Sequence, residues 1–255
     1  MIRLKTKQEV DKIRESCVIV AETLEELGKL AEPGISTAEL DRWAHDFIRT
    51  RGGIPAFKGY RGFPANTCIS VNEEVVHGIP GTRTLSEGDI VSIDVGVLKN
   101  GYFGDGAATF PVGEVSEAAL TLLEVTQLAL MKGIEKAAVG SFLGDVSHAI
   151  QECAESFHFS VVRDLVGHGI GAQMHEEPQI PNFGAPGTGP MLVEGMVLAI
   201  EPMVNAGGWE VRTLSDNWTV VTKDGSLSAH FEHTVAVLDG RAQVLTQAGS
   251  GILRR

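Results

Sequence analysis

DIVSIDVGVLKNGYFGDGAATF, residues 89–110, is the stretch of sequence that predicts the fold most directly. Two runs rich in β-branched and aromatic residues flank an Asn-Gly dipeptide, the pair most typical of a two-residue hairpin turn. In such a hairpin Asp94 faces Ala107, and Asp105 lies two positions along on the same face, with the two aspartate Cα atoms at most about 7–8 Å apart. The stretch therefore predicts an antiparallel strand pair that brings two carboxylates together in apolar surroundings.

Two helices are predicted before this hairpin. From Val10 to Leu30 apolar residues recur at intervals of three and four, which is the spacing of one helix face. The segment EPGIST breaks that pattern, and either Ser36 or Thr37 can cap a second helix that continues to Ile48. Short β-like runs separated by turn residues then begin near residue 66.

The second part of the chain repeats this order of elements. Helical spacing returns over residues 116–157 with a break near Gly140, and β-like segments follow. An ungapped shift of 106 residues places Gly34 on Gly140. A chance alignment of two helical hairpins is the alternative explanation.

From the repeat we predict an α+β fold in which helices lie on one face of a sheet and a site lies between two halves. The whole chain, residues 1–255, would then form a single catalytic domain with pseudo-symmetric halves at about 10–110 and 116–240.

The composition and charge of the chain disfavour several classes of protein, namely nucleic-acid-binding, membrane-spanning, secreted and disulfide-rich proteins. The chain has 255 residues, 43% of them hydrophobic, a formal net charge of −12 and a pI near 5.1, which disfavours nucleic acid as a direct ligand. No apolar run approaches the ~18 residues of a membrane span, and the N-terminus lacks the pattern of a secretory signal. Three sparse cysteines, Cys17, Cys68 and Cys153, argue against a disulfide framework and predict a reducing, cytoplasmic location.

Basic residues are concentrated near the N-terminus, where acidic residues alternate with them. This pattern is typical of a solvated helix face rather than of a binding patch. The basic residues are Arg3, Lys5, Lys7, Lys12 and Arg14, and the acids are Glu9 and Asp11.

Three further residues of metal-binding type occupy distinctive phrases in the second half. His168 lies between glycines in LVGHGIG, Glu201 follows the apolar run MVLAI, and Glu232 opens the apolar run of HFEHTVAV. Taken singly, each has another explanation: the histidine is an ordinary core or surface residue, and Glu201 forms a salt bridge with an arginine such as Arg212.

Together, Asp94, Asp105, His168, Glu201 and Glu232 offer four carboxylates and one imidazole. So many acids are costly to bury without a cation. Oxygen-rich ligation with a single histidine suits two divalent ions such as Mn, Fe(II) or Co better than a structural zinc, which prefers sulfur and nitrogen. Paired ions activate water and polarise a carbonyl, so the set predicts a two-metal hydrolase.

The short sequences around these five residues, taken in their order along the chain, resemble the ligand motifs of the type 1 methionine aminopeptidases. NTCISVNEEVVHGIP, residues 66–80, is also similar to the family segment that carries an active-site histidine, here His77. The resemblance extends from about Ile2 to Leu245 and implies the pita-bread fold of creatinase and the aminopeptidases, with helices outside a curved antiparallel sheet. It also implies removal of the initiator methionine from peptides and nascent chains, with a preference for a small second residue.

The resemblance implies a role for each metal ligand. Two divalent ions per chain are expected, with Co, Mn, Fe(II) and Zn as candidates. Asp94 would bind the second ion, and Asp105 and Glu232 would bridge both. His168 and Glu201 would complete the first ion.

By the same resemblance, three residues would act in catalysis. Glu201 would transfer protons, His77 would stabilise the intermediate or the leaving amide, and His175 would contact the substrate carbonyl. The residues implied to line the methionine pocket are Phe57, Tyr60, Phe63, Cys68, Met174 and Trp218. A monovalent cation is implied near Asn72, Glu74 and Ser228.

The chain departs from the family pattern at a few positions. Ala65-Asn66 replaces a frequent Lys-Ser, Met174 stands where an aromatic residue is common, and His230 stands where glutamine is common. We expect these differences to affect substrate preference and pH dependence. One hypothesis is that His230 is charged at mildly acid pH and weakens activity there.

Two other functions fit part of the pattern. An X-Pro aminopeptidase or dipeptidase shares the ligand set, although such relatives usually carry an additional N-terminal domain. A non-catalytic binding module of the same fold would be expected to have lost metal ligands. For partners, we expect a monomer that acts on N-terminal methionine peptides, with no membrane contact and with ribosome association as a further expectation.

Overall fold

The computed structural model describes residues 1–247. The helices in this part of the chain are α1 (Lys7–Leu30), α2 (Thr37–Thr50), α3 (Glu117–Lys136) and α4 (Leu143–Ser156), with a short 3-10 helix at Tyr60–Gly62. Capping boxes begin α1 and α2: the side chain of Thr6 or Ser36 accepts from the amide three residues later, and the glutamate there accepts from the capping residue's amide. Of the two predicted caps for the second helix, Ser36 is the one used.

The strands among these residues form one nine-stranded sheet and two three-stranded sheets, and every pairing is antiparallel. The strands are β1 (Ile54–Pro55), β2 (Cys68–Val71), β3 (Glu74–Val76), β4 (Ile90–Lys99), β5 (Tyr102–Pro111), β6 (Ser160–Val161), β7 (Val166–Gly169), β8 (Glu176–Pro181), β9 (Val197–Ile200), β10 (Met203–Asn205), β11 (Val211–Thr213), β12 (Val220–Thr222), β13 (Ser228–His230), β14 (Glu232–Leu238) and β15 (Arg241–Val244). The large sheet has the order β1-β4-β5-β14-β9-β7-β8, with β2 beside β4 and β15 beside β14. The small sheets have the orders β13-β10-β6 and β11-β12-β3. The predicted α+β fold around a curved antiparallel sheet is confirmed.

The hairpin of β4 and β5 has the predicted register. Asp94 pairs with Ala107 and Gly96 pairs with Asp105. Positive φ angles of 51° at Asn100 and 80° at the following glycine suit the two-residue turn. Because side chains alternate along a strand, the two aspartates lie on the same face of the hairpin.

Each pair of helices covers its own part of the large sheet. One buried apolar cluster joins α1 and α2 to β4, and another joins α3 and α4 to β9 and β14. Helix α4 begins and ends 106 residues after α2, and α3 ends 106 residues after α1. These matching bounds support the interpretation of two pseudo-symmetric halves, and the assignment of the whole chain to one domain stays a prediction.

The N-terminal segment differs from its prediction at two residues. Arg3 and Lys5 precede α1 instead of lying on its solvated face, and although Arg3 is exposed, the side chain of Lys5 is only 5% exposed. A lysine is rarely buried without a partner, and this one contacts Glu176. Over the described part of the chain, no helix is both long and apolar enough to cross a membrane.

Candidate metal centre

The five predicted ligands lie on neighbouring strands of the large sheet. The hairpin supplies Asp94 and Asp105, β7 supplies His168, Glu201 directly follows β9, and Glu232 opens β14. Strand β14 pairs with both β5 and β9, and β7 pairs with β9. The sheet order therefore brings all five side chains to the wall of one cavity.

Three of these side chains have the spacing of metal ligands. Asp105, His168 and Glu232 each offer a ligand atom, and these atoms lie within 4.8 Å of one another. Nε2 of His168 lies 3.6 Å from Oε1 of Glu201. Nδ1 of His168 donates to the carbonyl oxygen of Gly169 at 2.9 Å, which leaves Nε2 as the free ligand atom.

Two buried oxygen atoms at this site lack partners. Oδ1 of Asp94 and Oε1 of Glu232 make no hydrogen bond to any residue among 1–247. Buried polar atoms are nearly always paired, and an unpaired carboxylate oxygen is costly. The free oxygens and the carboxylate-rich donor set fit divalent cations.

Burial raises the pKa of every carboxyl in the set. The pKa of Asp94 rises to about 7 through desolvation. Desolvation, followed by repulsion from neighbouring carboxylates, raises the pKa of Asp105, Glu201 and Glu232 well above the ordinary range. A bound divalent cation would instead lower the pKa of these carboxyls, so that its binding would release protons.

Burial has the opposite effect on the histidine ligand. Desolvation lowers the pKa of His168 to about 4, so the ring is neutral at physiological pH and able to bind a metal.

The alternative explanation of Glu201 as a partner of Arg212 is wrong. Arg212 is exposed, and among the described residues the basic side chains within 4.0 Å of the Glu201 carboxylate are the neutral rings of His168, at 3.6 Å, and His230, at 3.9 Å.

Two more histidines face the same cavity. His77 follows β3 with a φ of 60°, an uncommon conformation for a residue with a side chain, and its ring meets Trp218 edge-on at 6.4 Å. His175 stacks on Tyr60 at 5.2 Å between ring centroids, and its Nδ1 lies 2.8 Å from the tyrosine hydroxyl. Desolvation on the cavity side, and then repulsion from His168, lowers the pKa of His175 to about 3, although the residue as a whole is exposed.

An aromatic pocket adjoins the carboxylates. Five of its six predicted lining residues border the cavity: Phe57, Tyr60, Phe63, Cys68 and Trp218. The sixth, Met174, is buried in the cluster behind them. Arg61, in the short 3-10 helix, also borders the cavity, and sequence reasoning missed it because a single arginine gives no local signal of this position.

Comparisons with known proteins identify the family. The model of metallopeptidase family M24 matches residues 11–239. The methionine aminopeptidase of Clostridium acetobutylicum is 57% identical over 247 residues, which cover 96% of this chain and 99% of that protein. Methionine aminopeptidase 1 of Bacillus subtilis is 56% identical, with 97% of this chain and 100% of that protein covered. The chain belongs to the methionine aminopeptidases of family M24.

Solved structures agree with this assignment. The methionine aminopeptidase of Rickettsia prowazekii superposes with a TM-score of 0.95 at 43% identity, covering 96% of this chain and 100% of that one. The prolidase of Pyrococcus furiosus superposes with a TM-score of 0.79 at 24% identity and shares the fold, but this chain covers only 65% of it. The recognised family, the fold and the metal-dependent hydrolase class are thereby confirmed.

The residues that depart from the family pattern can now be placed. Ala65 is buried beside the aromatic pocket of this aminopeptidase, and Asn66 donates from its backbone and side chain to Asp41. The hypothesis of a charged His230 is wrong, because burial lowers its pKa to about 3. Nε2 of His230 instead lies unpaired among the described residues, 3.9 Å from Oε2 of Glu201.

At the predicted monovalent-cation position, several polar groups already have hydrogen-bond partners within the protein. The amide of Ser228 donates to the carbonyl of Asn72, and its hydroxyl donates to Asn205. The carboxylate of Glu74 accepts from the Val71 amide and from the Arg83 guanidinium. The ion itself stays a prediction.

Proposed function

We propose that this chain removes an N-terminal methionine by hydrolysing the first peptide bond at a centre of two divalent ions. The observation that carries the proposal is the continuity of the carboxylate cluster with an aromatic pocket in one cavity. Family membership adds independent support, because the relatives from Clostridium acetobutylicum and Bacillus subtilis bear the name methionine aminopeptidase. Proposed ligands are Asp94, Asp105, His168, Glu201 and Glu232.

Each proposed role follows from position. Divalent ions bound here would supply an activated water and an electrophile for the scissile carbonyl. Glu201 lies at the inner wall, where its carboxylate can accept a proton and pass it to the leaving amine. His77 and His175 border the cavity as neutral rings that can donate hydrogen bonds to the carbonyl or to the leaving amide.

The pocket explains the choice of methionine. Phe57 and Phe63 meet edge-to-face at 6.5 Å, and Phe63 meets Trp218 at 5.1 Å. Aromatic faces with the soft sulfur of Cys68 suit a flexible thioether. Exclusion of acylated N-termini and preference for a small second residue also belong to the proposal.

A peptide panel tests this function. Purified protein is reconstituted with Mn, Fe(II), Co or Zn and offered Met-Ala-Ser, acetyl-Met-Ala-Ser, Met-Leu-Ser and Ala-Pro-Ala. We expect free methionine from the first peptide and little or none from the others. Cleavage of Ala-Pro-Ala alone would overturn the proposal in favour of an X-Pro peptidase. Absence of any hydrolysis, with less than one equivalent of bound metal, would favour a binding module.

The remaining expectations about partners belong to the same proposal. Nascent chains are the natural source of such N-termini, and we expect the protein to act on them in the cytoplasm as a monomer. Sedimentation of the purified protein, alone and with ribosomes, tests the oligomeric state and the ribosome association.

A further inference from the structure

We propose that Lys5 is a positioning residue for the loop that carries Met174 and His175, and that it acts through the buried carboxylate of Glu176. The inference rests on the proposed function, because its effect on activity passes through His175. The segment before the first helix would thereby help to position residues of the site.

The ion pair is short and buried. Nζ of Lys5 donates to Oε2 of Glu176 at 2.7 Å, and the two side chains are 5% and 4% exposed. The same ammonium group donates to the carbonyl of Arg3 at 2.8 Å. Among residues 1–247, Lys5 is the cation that lies within ion-pairing distance of Glu176. Loss of the lysine would therefore leave a buried carboxylate without its counter-charge.

Lys5 is itself held in place from both sides. Its amide donates to the carbonyl of Gly195 at 2.7 Å, in the turn before β9. The next residue, Thr6, is the N-cap of α1. The ammonium group thus projects from a short segment that is fixed between the sheet and the first helix.

Glu176 transmits this anchoring to the loop between β7 and β8. Its other oxygen, Oε1, accepts from the amide of Gln173 at 3.1 Å, so that one carboxylate joins the loop to Lys5. Gly171 leaves room for this contact. A Cβ atom there would lie 2.5 Å from Cε of Lys5 and 2.9 Å from Oε1 of Glu176.

The tethered loop carries two residues of the site. Met174 is 1% exposed and packs behind the aromatic pocket. His175, which directly precedes Glu176, lies with its ring centroid 4.1 Å from that of His168. Displacement of the loop would move His175 relative to the scissile carbonyl, and a shift of about 1 Å in a positioned group can cost a hundredfold in rate.

The test compares two lysine variants that differ in burial. Lys5→Met removes the buried ammonium group, whereas Lys7→Met removes an exposed one that lies 3.9 Å from Asp239. We expect Lys5→Met to lower kcat on Met-Ala-Ser roughly tenfold to hundredfold per folded, metal-loaded molecule, with a smaller change in KM. Lys7→Met should retain the original kcat. Metal equivalents are measured for both variants.

A second variant and a second measurement keep the inference testable. If Lys5→Met does not fold, the double variant K5M/E176L removes both charges, and the same loss of kcat is expected from it. Hydrogen exchange should show faster exchange at residues 171–175 in the lysine variant and unchanged exchange in β4 and β5. An unchanged kcat per folded molecule, or unchanged protection of the loop, would overturn the inference. If the original protein cleaves no methionine peptide, the proposed function fails, and the exchange comparison alone decides whether Lys5 positions the loop.

Discussion

Asp105 and Thr234 are joined by two hydrogen bonds across neighbouring strands. The amide of Asp105 donates to Oγ1 of Thr234 at 3.2 Å, and that hydroxyl donates to the carbonyl of Asp105 at 2.7 Å. The backbone pairing of β5 with β14 is formed at Ala107 and Gly106. At the next residue the threonine hydroxyl replaces a backbone partner, and a proposed ligand from the first half is fixed to a strand of the second.

Substitution of this threonine should weaken both the fold and the site. Thr234→Val would leave the amide and carbonyl of Asp105 unpaired in the interior, which we expect to lower the free energy of unfolding by about 1–3 kcal/mol. Urea denaturation measures this change, and calorimetric titration with Mn should show weaker binding. Thr23→Val is a matched control, because its buried hydroxyl donates to a carbonyl within α1. Equal destabilisation by the two variants would contradict the special role of Thr234.

Removal of the proposed proton acceptor should abolish most turnover. Glu201→Gln keeps the shape of the side chain but cannot take up a proton, so kcat should fall by about 10²–10⁴-fold. Circular dichroism should remain unchanged, and metal content should be measured alongside. Activity near that of the original protein would exclude the role assigned to Glu201.

Stability of the metal-free protein should fall as pH rises from 7 to 8. From pH 7 to 8 the buried histidines are neutral in the folded chain and mostly neutral in the unfolded chain, where the ordinary histidine pKa is about 6.5, so they oppose this fall only near pH 7. Since burial raises the pKa of Asp105, Glu201 and Glu232, and that of Asp94 to about 7, the folded state keeps protons that the unfolded state has released. The free energy of unfolding should therefore decrease by about 1.4 kcal/mol per pH unit for each proton that only the folded state retains.

Urea unfolding in the presence of a chelator measures this slope. Glu232→Gln should reduce it, whereas Glu152→Gln, at an exposed position, should not. Saturation with Mn should abolish the fall, because the bound cation stabilises the charged carboxylates. A metal-free protein whose stability is constant or increases over this range would show that the carboxyls are already ionised.

His230 should not determine the acid limb of the activity profile. Burial lowers its pKa to about 3, so the ring stays neutral at mildly acid pH. We therefore expect His230→Gln to leave the shape of the pH–rate profile unchanged between pH 5 and 8. An acid limb that shifts in this variant would show that the ring titrates in that range after all.

Local features of the fold were predictable from sequence. The Asn-Gly turn determined the register that aligns Asp94 and Asp105, and Ser36, one of the two predicted caps, begins α2. Such features depend on residues close together in the chain, whose conformational preferences act directly. The four proposed carboxylate ligands could be named because acids in apolar strands are unusual enough to require an explanation, and the flanking glycines drew attention to His168.

Long-range features were not predictable in the same way. The pairing of β14 with β5 brings Glu232 beside the hairpin, and it depends on the packing of two distant segments. The burial of Lys5 depends on the distant Glu176 and on the space left by Gly171. The pKa of His230 likewise depends on enclosure by residues that no local pattern specifies.

The sheet order has a consequence for the maturation of the protein itself. One half of the chain supplies Asp94 and Asp105, and the other supplies His168, Glu201 and Glu232. With the proposed ligands, a newly made chain whose second half is unfinished would hold too few of them for a pair of ions and would not hydrolyse peptides. Assembly of the proposed centre would then confine peptidase activity to molecules whose folding is complete.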